Sequence, residues 1–265
     1  MSRIWRHIIN ITFGVILIGA LVGGWMLGKA DRKPIMCKGL SIVITDSTTN
    51  QFITPDEIRR ILDSEYKGYT GKPIDSLDLA QVEDILDGRS AILKSQAYTT
   101  KDSLLNVVVT QRKPIVRFQK GSKGFYADAE GFLFPLQKTY TSHVHIVDGH
   151  IPIKVENGFI GRPETKKEQE WLTKMLNVIR YMDESKVWKE KIVQISVDRK
   201  GELTMIPREG QERFLFGHPV DVEEKFRKMG IYYKGISKDK GEGYYRWVDL
   251  RYDGQIVCRQ VTDNK

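Results

Sequence analysis

An uncharged segment near the start of the chain constrains the fold more than any other sequence feature. Residues 8–28, IINITFGVILIGALVGGWMLG, contain no charged side chain. A helix of that length spans about 31 Å, which matches a membrane hydrocarbon core of about 30 Å. Trp5 and Trp25 lie near its two ends, where membrane helices are enriched in aromatic side chains. Since no second stretch of this kind follows, the sequence predicts one transmembrane helix at 8–28 after a short tail at 1–7.

A cleaved signal peptide is the rival interpretation of the same segment. Arg3 and Arg6 would form its basic start, and Gly28-Lys29-Ala30 resembles a cleavage site of small residues. The apolar run is longer than the roughly 7–15 residues usual in such peptides, which favours a retained helix. Positive charges flank the segment on both sides, so their distribution does not decide its orientation.

Chain length, net charge and cysteine content limit which domains, partners and disulfides the sequence predicts. The length of 265 residues suggests about two domains. The net charge of +8 is scattered along the chain, without an arginine-rich arm or zinc-finger spacing, so the sequence does not predict nucleic-acid binding. Cys37 and Cys258 have no ligand-type neighbours. A disulfide between them is chemically allowed outside the cytoplasm, but two unpaired thiols are the favoured interpretation.

Residues 37–113 show the pattern of a small unit with one sheet and two helices. Leu40, Ile42 and Ile44 alternate as in a half-buried strand. Thr54 is suited to cap a helix that starts at Pro55. The predicted order is strand, helix, helix, strand and strand, at 38–45, from Pro55, and at 79–87, 91–100 and 104–112. Packing both helices on one face of the sheet is the compact solution.

Residues 114–261 show a second, strand-rich pattern. The predicted strands are 115–118, 125–128, 132–134, 144–147, 191–198, 202–206 and 212–216. A helix is predicted near 164–184, and a shorter one near 221–229 has Asp221 as its cap and Gly230 as its stop. The whole chain is therefore predicted to be an α+β protein: a transmembrane helix, a βααββ domain, and a mainly antiparallel β domain with two helices.

The stretch WVDLRYDGQIV, residues 247–257, predicts a terminal hairpin. Asp253-Gly254 fits a two-residue type I′ turn, which needs positive φ at both central positions. Alternation places Val248, Leu250 and Tyr252 on the core face of the first strand, and Trp247, Asp249 and Arg251 on the other face. Few residues follow the second strand, so its outer row of backbone N–H and C=O groups has to be blunted, covered or used.

Catalytic and metal-binding motifs do not stand out in the sequence. It has no GxSxG, HExxH, Walker loop or GxGxxG after a strand. His143-Val144-His145 would place two imidazoles on one strand face, but no nearby Cys, Asp or Glu completes a metal site. Carboxylate pairs such as Asp183-Glu184 fall beside lysines on predicted helix surfaces. The sequence therefore predicts no enzyme activity, no cofactor and no metal site.

The ordered set of motifs resembles the bacterial FtsQ/DivIB cell-division family over essentially the full chain. The stretches that carry the resemblance are LLNVVVTQRKPIVRF (104–118), GFYADAEGFLF (124–134), HIVDG (145–149), RFLFGHPVDVEEKFRKM (213–229) and WVDLRYDGQIV (247–257). The resemblance implies a short cytoplasmic tail (1–7), a membrane helix (8–28), a POTRA domain (37–113), a β domain (114–261) and a tail (262–265). It also implies an inner-membrane protein with its bulk in the periplasm and a place at the division septum.

In this family the last strand accepts a strand from FtsB, a small single-pass protein that pairs with FtsL. By resemblance, the accepting strand here is about Gln255 to Val261. The residues expected to contact the partner are Arg251, Tyr252, Gly254, Gln255, Ile256, Val257, Cys258 and Arg259. Such strand addition draws affinity from main-chain hydrogen bonds and selectivity from alternate side chains. Other division proteins are expected to use the POTRA domain and the membrane helix.

Three function hypotheses follow from the sequence and the resemblance. The leading one is a non-enzymatic division scaffold that binds FtsB-like and FtsL-like proteins and couples them to septal peptidoglycan synthesis. A membrane-anchored periplasmic enzyme acting on the cell wall is the first alternative, and it requires a deep cleft with converging acid and base groups. The second alternative is a chaperone or secretion component that passes on extended peptides through its POTRA domain.

Overall fold

The computed structural model describes residues 3–30, 34–46, 51–121, 123–137, 140–156, 158–241 and 243–260, with the side chains of the first helix described from 11 to 25. After the first helix, the strands of the described residues form two separate sheets. One has three strands and the other has nine. Residues 1–2 of the predicted tail, Val261 of the predicted accepting strand and the tail 262–265 lie outside the described residues.

The first helix, α1, runs over Arg3–Ala30 and contains the predicted span 8–28. Its large apolar side chains between Ile11 and Trp25 are mostly exposed. Among the residues whose side chains are described, no helix is long and apolar enough to cross a membrane.

The three-stranded sheet follows the predicted strand, helix, helix, strand, strand order. Its elements are β1 (Gly39–Ile44), α2 (Pro55–Glu65), α3 (Leu79–Asp87), β2 (Ile92–Thr99) and β3 (Leu104–Gln111). Spatially β3 lies between a parallel β1 and an antiparallel β2. The side-chain oxygen of Thr54 accepts a hydrogen bond from the Glu57 N–H at 3.3 Å, which confirms the predicted helix cap. Apolar side chains from α2, α3 and the three strands form one core.

The nine-stranded sheet has the spatial order β12-β11-β10-β9-β8-β7-β4-β5-β6. Its strands are β4 (Pro114–Lys120), β5 (Lys123–Asp128), β6 (Leu133–Pro135), β7 (His145–Gly149), β8 (Ile192–Val197), β9 (Leu203–Pro207), β10 (Arg213–Gly217), β11 (Tyr245–Asp249) and β12 (Val257–Gln260). All the strands predicted between 115 and 216 are confirmed within two residues. The sheet is more mixed than predicted, because β4–β7, β7–β8 and β10–β11 pair in parallel.

A parallel pair needs a crossover rather than a tight turn. Helices supply the crossovers for β7–β8 and β10–β11, whereas β4 is connected to β7 through β5 and β6. The crossover from β7 to β8 carries α4 (Lys166–Glu184) and α5 (Trp188–Lys191). α4 starts with a complete capping box, in which Thr165 and Glu168 satisfy each other's backbone N–H groups. The crossover from β10 to β11 carries α6 (Val222–Ile231), a π-helical turn (Tyr232–Ile236) and α7 (Ser237–Lys240). The prediction of two helices in this region was therefore incomplete.

The predicted cap and stop of the short helix are both wrong. Asp221 has a left-handed conformation (φ 52°), and its side chain makes no capping hydrogen bond. Helical backbone continues through Gly230 because the next residue but one, Tyr232, is fully buried against Phe214 at a ring-centroid distance of 5.4 Å. Packing of this kind outweighs the cost of one glycine in a helix, which is about 1 kcal/mol.

Candidate functional site

β12 forms one outer edge of the nine-stranded sheet. It pairs antiparallel with β11, with Asp249 opposite Val257, Val248 opposite Cys258 and Trp247 opposite Arg259. Across the described residues, β11 is the only hydrogen-bonded neighbour of β12. An edge strand of this kind presents unpaired backbone donors and acceptors on its outer side.

The connection between β11 and β12 is a loop from residue 250 to 256, so the predicted two-residue turn is wrong. Gly254 has positive φ (64°), but Asp253 does not, and a type I′ turn needs both. The reason is that the chain stays bound to the sheet after β11: the Leu250 N–H donates to the Leu215 carbonyl at 3.0 Å. A β-turn follows, in which the Gln255 N–H reaches the Tyr252 carbonyl at 3.4 Å.

Arg251 is clamped by two carboxylates at the start of this loop. Its Nε and one terminal nitrogen donate to the two oxygens of Asp249, at 2.9 and 2.7 Å. Its other terminal nitrogen donates to Glu202 at 2.9 Å. Since the bidentate pair and the third bond occupy all three nitrogens of the guanidinium, the side chain fixes where the loop leaves the sheet.

Asp249 is almost fully buried, at 1% exposure, although alternation had placed it on the face away from the core. Burial by itself would raise the pKa of this carboxyl group. The hydrogen bonds from Arg251 outweigh burial and hold the pKa of Asp249 below its usual value, and the charge of Arg259 adds to the effect. The same hydrogen bonds raise the pKa of Arg251, so each member of the pair favours the charged form of the other.

Lys228 of α6 holds the loop from the helix side of the sheet. Its Nζ donates to the carbonyls of Leu250 at 3.3 Å and Tyr252 at 2.6 Å, and it pairs with Glu224 at 3.1 Å. The lysine is only 4% exposed. Two backbone carbonyls of the loop therefore have a fixed, charged donor, and the loop is anchored at both faces of the sheet.

The predicted contact residues divide into a loop group and a strand group. Arg251, Tyr252, Gly254, Gln255 and Ile256 lie in the loop, whereas Val257, Cys258 and Arg259 lie in β12. The accepting strand thus begins two residues later than predicted, because the longer loop consumes Gln255 and Ile256.

The predicted contact residues also differ in whether their side chains are exposed or packed against the core. Tyr252 is 49% exposed, so its predicted position on the core face is wrong. Ile256 and Cys258 pack against the core, while Arg259 is exposed. Both cysteines carry free thiols, and burial raises the pKa of the Cys258 thiol.

A row of three side chains crosses the sheet next to the edge. Arg213 of β10 is opposite Trp247 of β11, and Trp247 is opposite Arg259 of β12. All three belong to the face of the sheet that lies away from the helices, and Trp247 is 38% exposed. Sequence reasoning placed Trp247 on this face but missed Arg213, since the pairing of distant strands is not encoded in local alternation.

The opposite edge of the same sheet, β6, is closed by the chain itself. Leu133 exchanges two backbone hydrogen bonds with Gly161, at 2.7 and 3.0 Å. Phe134 lies fully buried in an aromatic cluster with Tyr126 and with Phe52 from the first unit. Nearby, Arg112 pairs with the buried Asp128 at 2.9 Å and stacks on Phe132 at 3.6 Å.

Metal-ligand geometry is not found within the described part of the chain, where no group of three or more His, Cys, Asp or Glu converges. His145 lies at the start of β7, and its Nε2 is 3.4 Å from Asp183 of α4. His143 precedes the strand, so the two imidazoles do not share a strand face as predicted.

Comparison with protein families gives two matches that together cover most of the chain. Residues 113–259 match a family model described as FtsQ/DivIB, C-terminal related. Residues 35–110 match a POTRA-like domain. The comparison with curated proteins found no match. The first match includes strands from all of the nine-stranded sheet, from the start of β4 to Arg259 in β12.

Proposed function

The chain belongs to the FtsQ/DivIB C-terminal-related family, and from this membership we propose that it is a cell-division scaffold that captures a partner by strand addition at β12. The partner is an FtsB-like single-pass protein, itself paired with an FtsL-like protein. Binding couples these proteins to septal peptidoglycan synthesis. The protein acts by binding and carries no catalytic step of its own.

The observation that carries the proposal is the unpaired outer side of β12 within the described residues. A strand added there would receive main-chain hydrogen bonds from Val257–Gln260 and extend the sheet to a tenth strand. Arg259 and Gln260 are exposed and polar, which suits an edge that has to remain soluble before its partner arrives.

The loop anchors support this function by fixing the edge in advance. Asp249, Arg251 and Lys228 hold the start of the loop from both faces of the sheet. An accepting strand that is already ordered loses little conformational entropy on binding, and this preorganisation favours affinity. In this proposal Arg251 acts mainly by positioning, while Tyr252 and Gln255 contribute exposed surface at the rim.

Membrane attachment belongs to the proposal as well. The apolar, exposed side chains of α1 from Ile11 to Trp25 suit a lipid environment, and the span 8–28 matches the bilayer in length. The bulk of the chain then lies in the periplasm, at the inner membrane of the division septum. The outer edges of the three-stranded sheet, at β1 and β2, are candidate contact sites for other division proteins.

Backbone N-methylation tests strand addition directly, because it removes one N–H donor and leaves the side chain in place. Cys258 allows native ligation of a synthetic peptide 258–265 onto the rest of the chain. N-methyl groups are placed separately at Arg259 and Gln260, since adjacent N–H groups of a strand point to opposite sides. We expect one variant to lose binding to the FtsB-like partner at least about tenfold while its thermal stability is unchanged.

In the other variant, the methylated nitrogen faces β11 and can no longer donate to it. This variant is the matched control, and its melting temperature should be lower. Unmethylated ligated protein controls for the ligation itself. If neither methyl group weakens partner binding in a titration, strand addition at β12 is wrong. Localisation of the tagged full chain tests the division role separately: a ring at mid-cell is expected, and a uniform envelope signal would contradict it.

A further inference from the structure

A cavity on the helix side of the nine-stranded sheet lies apart from the β12 edge. It has a volume of about 310 Å³ and is formed by α5 together with the loop between β9 and β10. Glu190 and Lys191 contribute from the helix, and residues 208–210 and Glu212 contribute from the loop. Neither the cavity nor its residues take part in the proposed strand addition.

Glu212 is the unusual member of this cavity. Its side chain belongs to a residue only 3% exposed, and its Oε2 has no hydrogen-bond partner within the described residues. The carboxylate lies over Gly210, whose positive φ (91°) and missing Cβ make the close approach possible. A buried carboxylate oxygen without a donor is costly, so its retention needs a reason.

The cations nearest in the cavity wall are engaged elsewhere. Arg208 donates from Nε to the Glu190 carbonyl at 3.0 Å. Lys191 places its Nζ 3.5 Å from the centre of the Tyr233 ring. Neither forms an ion pair with Glu212 among the described residues. Within the part of the chain that the structure describes, the Oε2 of Glu212 therefore has no donor.

An apolar groove of about 520 Å³ adjoins the cavity. Trp188, Phe226 and Ile231 supply its apolar lining, and Glu223, Arg227 and Lys234 lie at its wall. Val187, Lys191 and Tyr233 border both spaces. Val187 is 61% exposed, which is high for a valine on a helical surface. The two spaces together offer an aromatic trough with a single buried carboxylate at one end.

We propose that this composite groove binds a peptide segment of a partner protein that carries an apolar side chain and a nearby arginine or lysine. The apolar side chain would fill the aromatic trough, and the cationic side chain would donate to Glu212. A buried carboxylate beside aromatic rings suits a guanidinium or ammonium group. Among the described residues, no group of three or more His, Cys, Asp or Glu converges here to hold a divalent cation. The proposal does not depend on strand addition at β12.

Two synthetic probes separate the charge from the shape of the ligand. The peptide acetyl-Phe-Ala-Arg-amide carries the required pair, and acetyl-Phe-Ala-citrulline-amide keeps its shape without the positive charge. Each is titrated against the full chain in detergent micelles. We expect the arginine peptide to bind about tenfold more tightly, since its hydrogen bond to Glu212 is charge-assisted.

Glu212→Gln should abolish this preference and reduce the affinity ratio of the two peptides to about 1. Glu209→Gln is the matched control, because Glu209 lines the same cavity but is exposed, and it should keep the preference. Val187→Ser shortens an exposed apolar side chain without adding charge, and it should weaken both peptides by a similar factor.

Equal binding of the two peptides to the unchanged protein would overturn the proposal. A preference that survives in Glu212→Gln would also overturn it. The N-methylated β12 variants should keep the full preference for the arginine peptide, which separates failure of this site from failure of the proposed strand addition.

Discussion

The two edges of the nine-stranded sheet differ in how far the rest of the chain covers them. At β6, backbone groups of Leu133 are bonded to Gly161, and Phe134 is buried under Phe52. At β12, the described residues provide a neighbour on one side only. Within the described ranges, the chain therefore closes one edge with a loop and an aromatic cluster, whereas the other edge ends in the exposed polar side chains of Arg259 and Gln260.

Because β6 of the same sheet is closed, the open edge among the described residues is a specific property of β12 and not a general result of the fold. Closing an edge takes few residues, as a single exchange between Leu133 and Gly161 shows. The loop before β12 is anchored by Arg251 and Lys228, yet these anchors fix the strand without covering it. Such an arrangement is what strand addition requires: an ordered edge with free donors and acceptors.

The largest expected contrast between the edges is in stability. Phe134→Ala removes a fully buried ring at β6 and should lower the free energy of unfolding by about 3–5 kcal/mol. Val257→Ala at β12 removes a half-buried side chain and should cost less than about 1 kcal/mol. Urea denaturation of both variants measures the difference, and equal losses would show that the β12 edge is buried as deeply as β6.

A pair of arginines sharpens the same contrast. Arg112→Met breaks the ion pair with buried Asp128, whose Oδ1 still accepts two backbone N–H groups, and should cost about 2–3 kcal/mol. Arg259→Met at the open edge should change stability by less than about 0.5 kcal/mol. A large loss of stability in Arg259→Met, measured by the same denaturation, would mean that Arg259 is already committed within the fold.

The clamp at the open edge predicts a dependence on pH. Because the pKa of Asp249 in the folded state lies below its usual value of about 4, its stabilising contribution is complete above that pH. The contribution is lost as the pH falls through the lowered pKa. Arg251→Gln should cost about 1–2 kcal/mol at neutral pH and shift the midpoint of acid unfolding to higher pH.

Glu202→Gln is the control for this clamp, since it removes the outer partner of Arg251 and leaves the bidentate pair with Asp249 intact. It should leave the acid midpoint nearly unchanged. An acid midpoint that does not move in Arg251→Gln would refute the assigned role of the clamp.

The smallest expected effect concerns the thiol of Cys258. Burial raises the pKa of this thiol, and its side chain packs on the core side of β12. Alkylation by iodoacetamide should therefore be slow at neutral pH and accelerate only at a pH above that at which an exposed cysteine ionises. A partner strand adds in the plane of the sheet, so its binding should change the alkylation rate by less than about twofold. Strong protection would place the partner on the core side instead.

Much of this architecture was predictable from local sequence signals. Helix α3 has its predicted bounds, and strands such as β8 and β9 lie within one residue of the predicted ranges. These elements follow from periodicity and capping, which act over a few residues. The resemblance to the FtsQ/DivIB family, carried by five short stretches, predicted the family that the comparison found.

The errors fall where distant residues decide the local structure. The predicted turn at Asp253-Gly254 is wrong because the Leu250 N–H is bonded to β10. Asp249 is buried, contrary to its alternation, because the Arg251 side chain pairs with its carboxylate. The predicted helix end at Gly230 is wrong because Tyr232, two residues later, packs on Phe214. Parallel pairing and the closure of β6 likewise depend on contacts between segments far apart in the chain, which alternation cannot reveal.

Hydrogen exchange at single-residue resolution, in the free protein and in complex with the FtsB-like partner, tests the open edge most directly. In the free protein, alternate amides of Val257–Gln260 should exchange rapidly, while the Leu133 amide at β6 is protected. On partner binding, the rapid amides of β12 should become protected and Leu133 should not change. If all four amides of β12 are already protected in the free protein, or if the partner leaves the rapid ones unprotected, strand addition at this edge is contradicted.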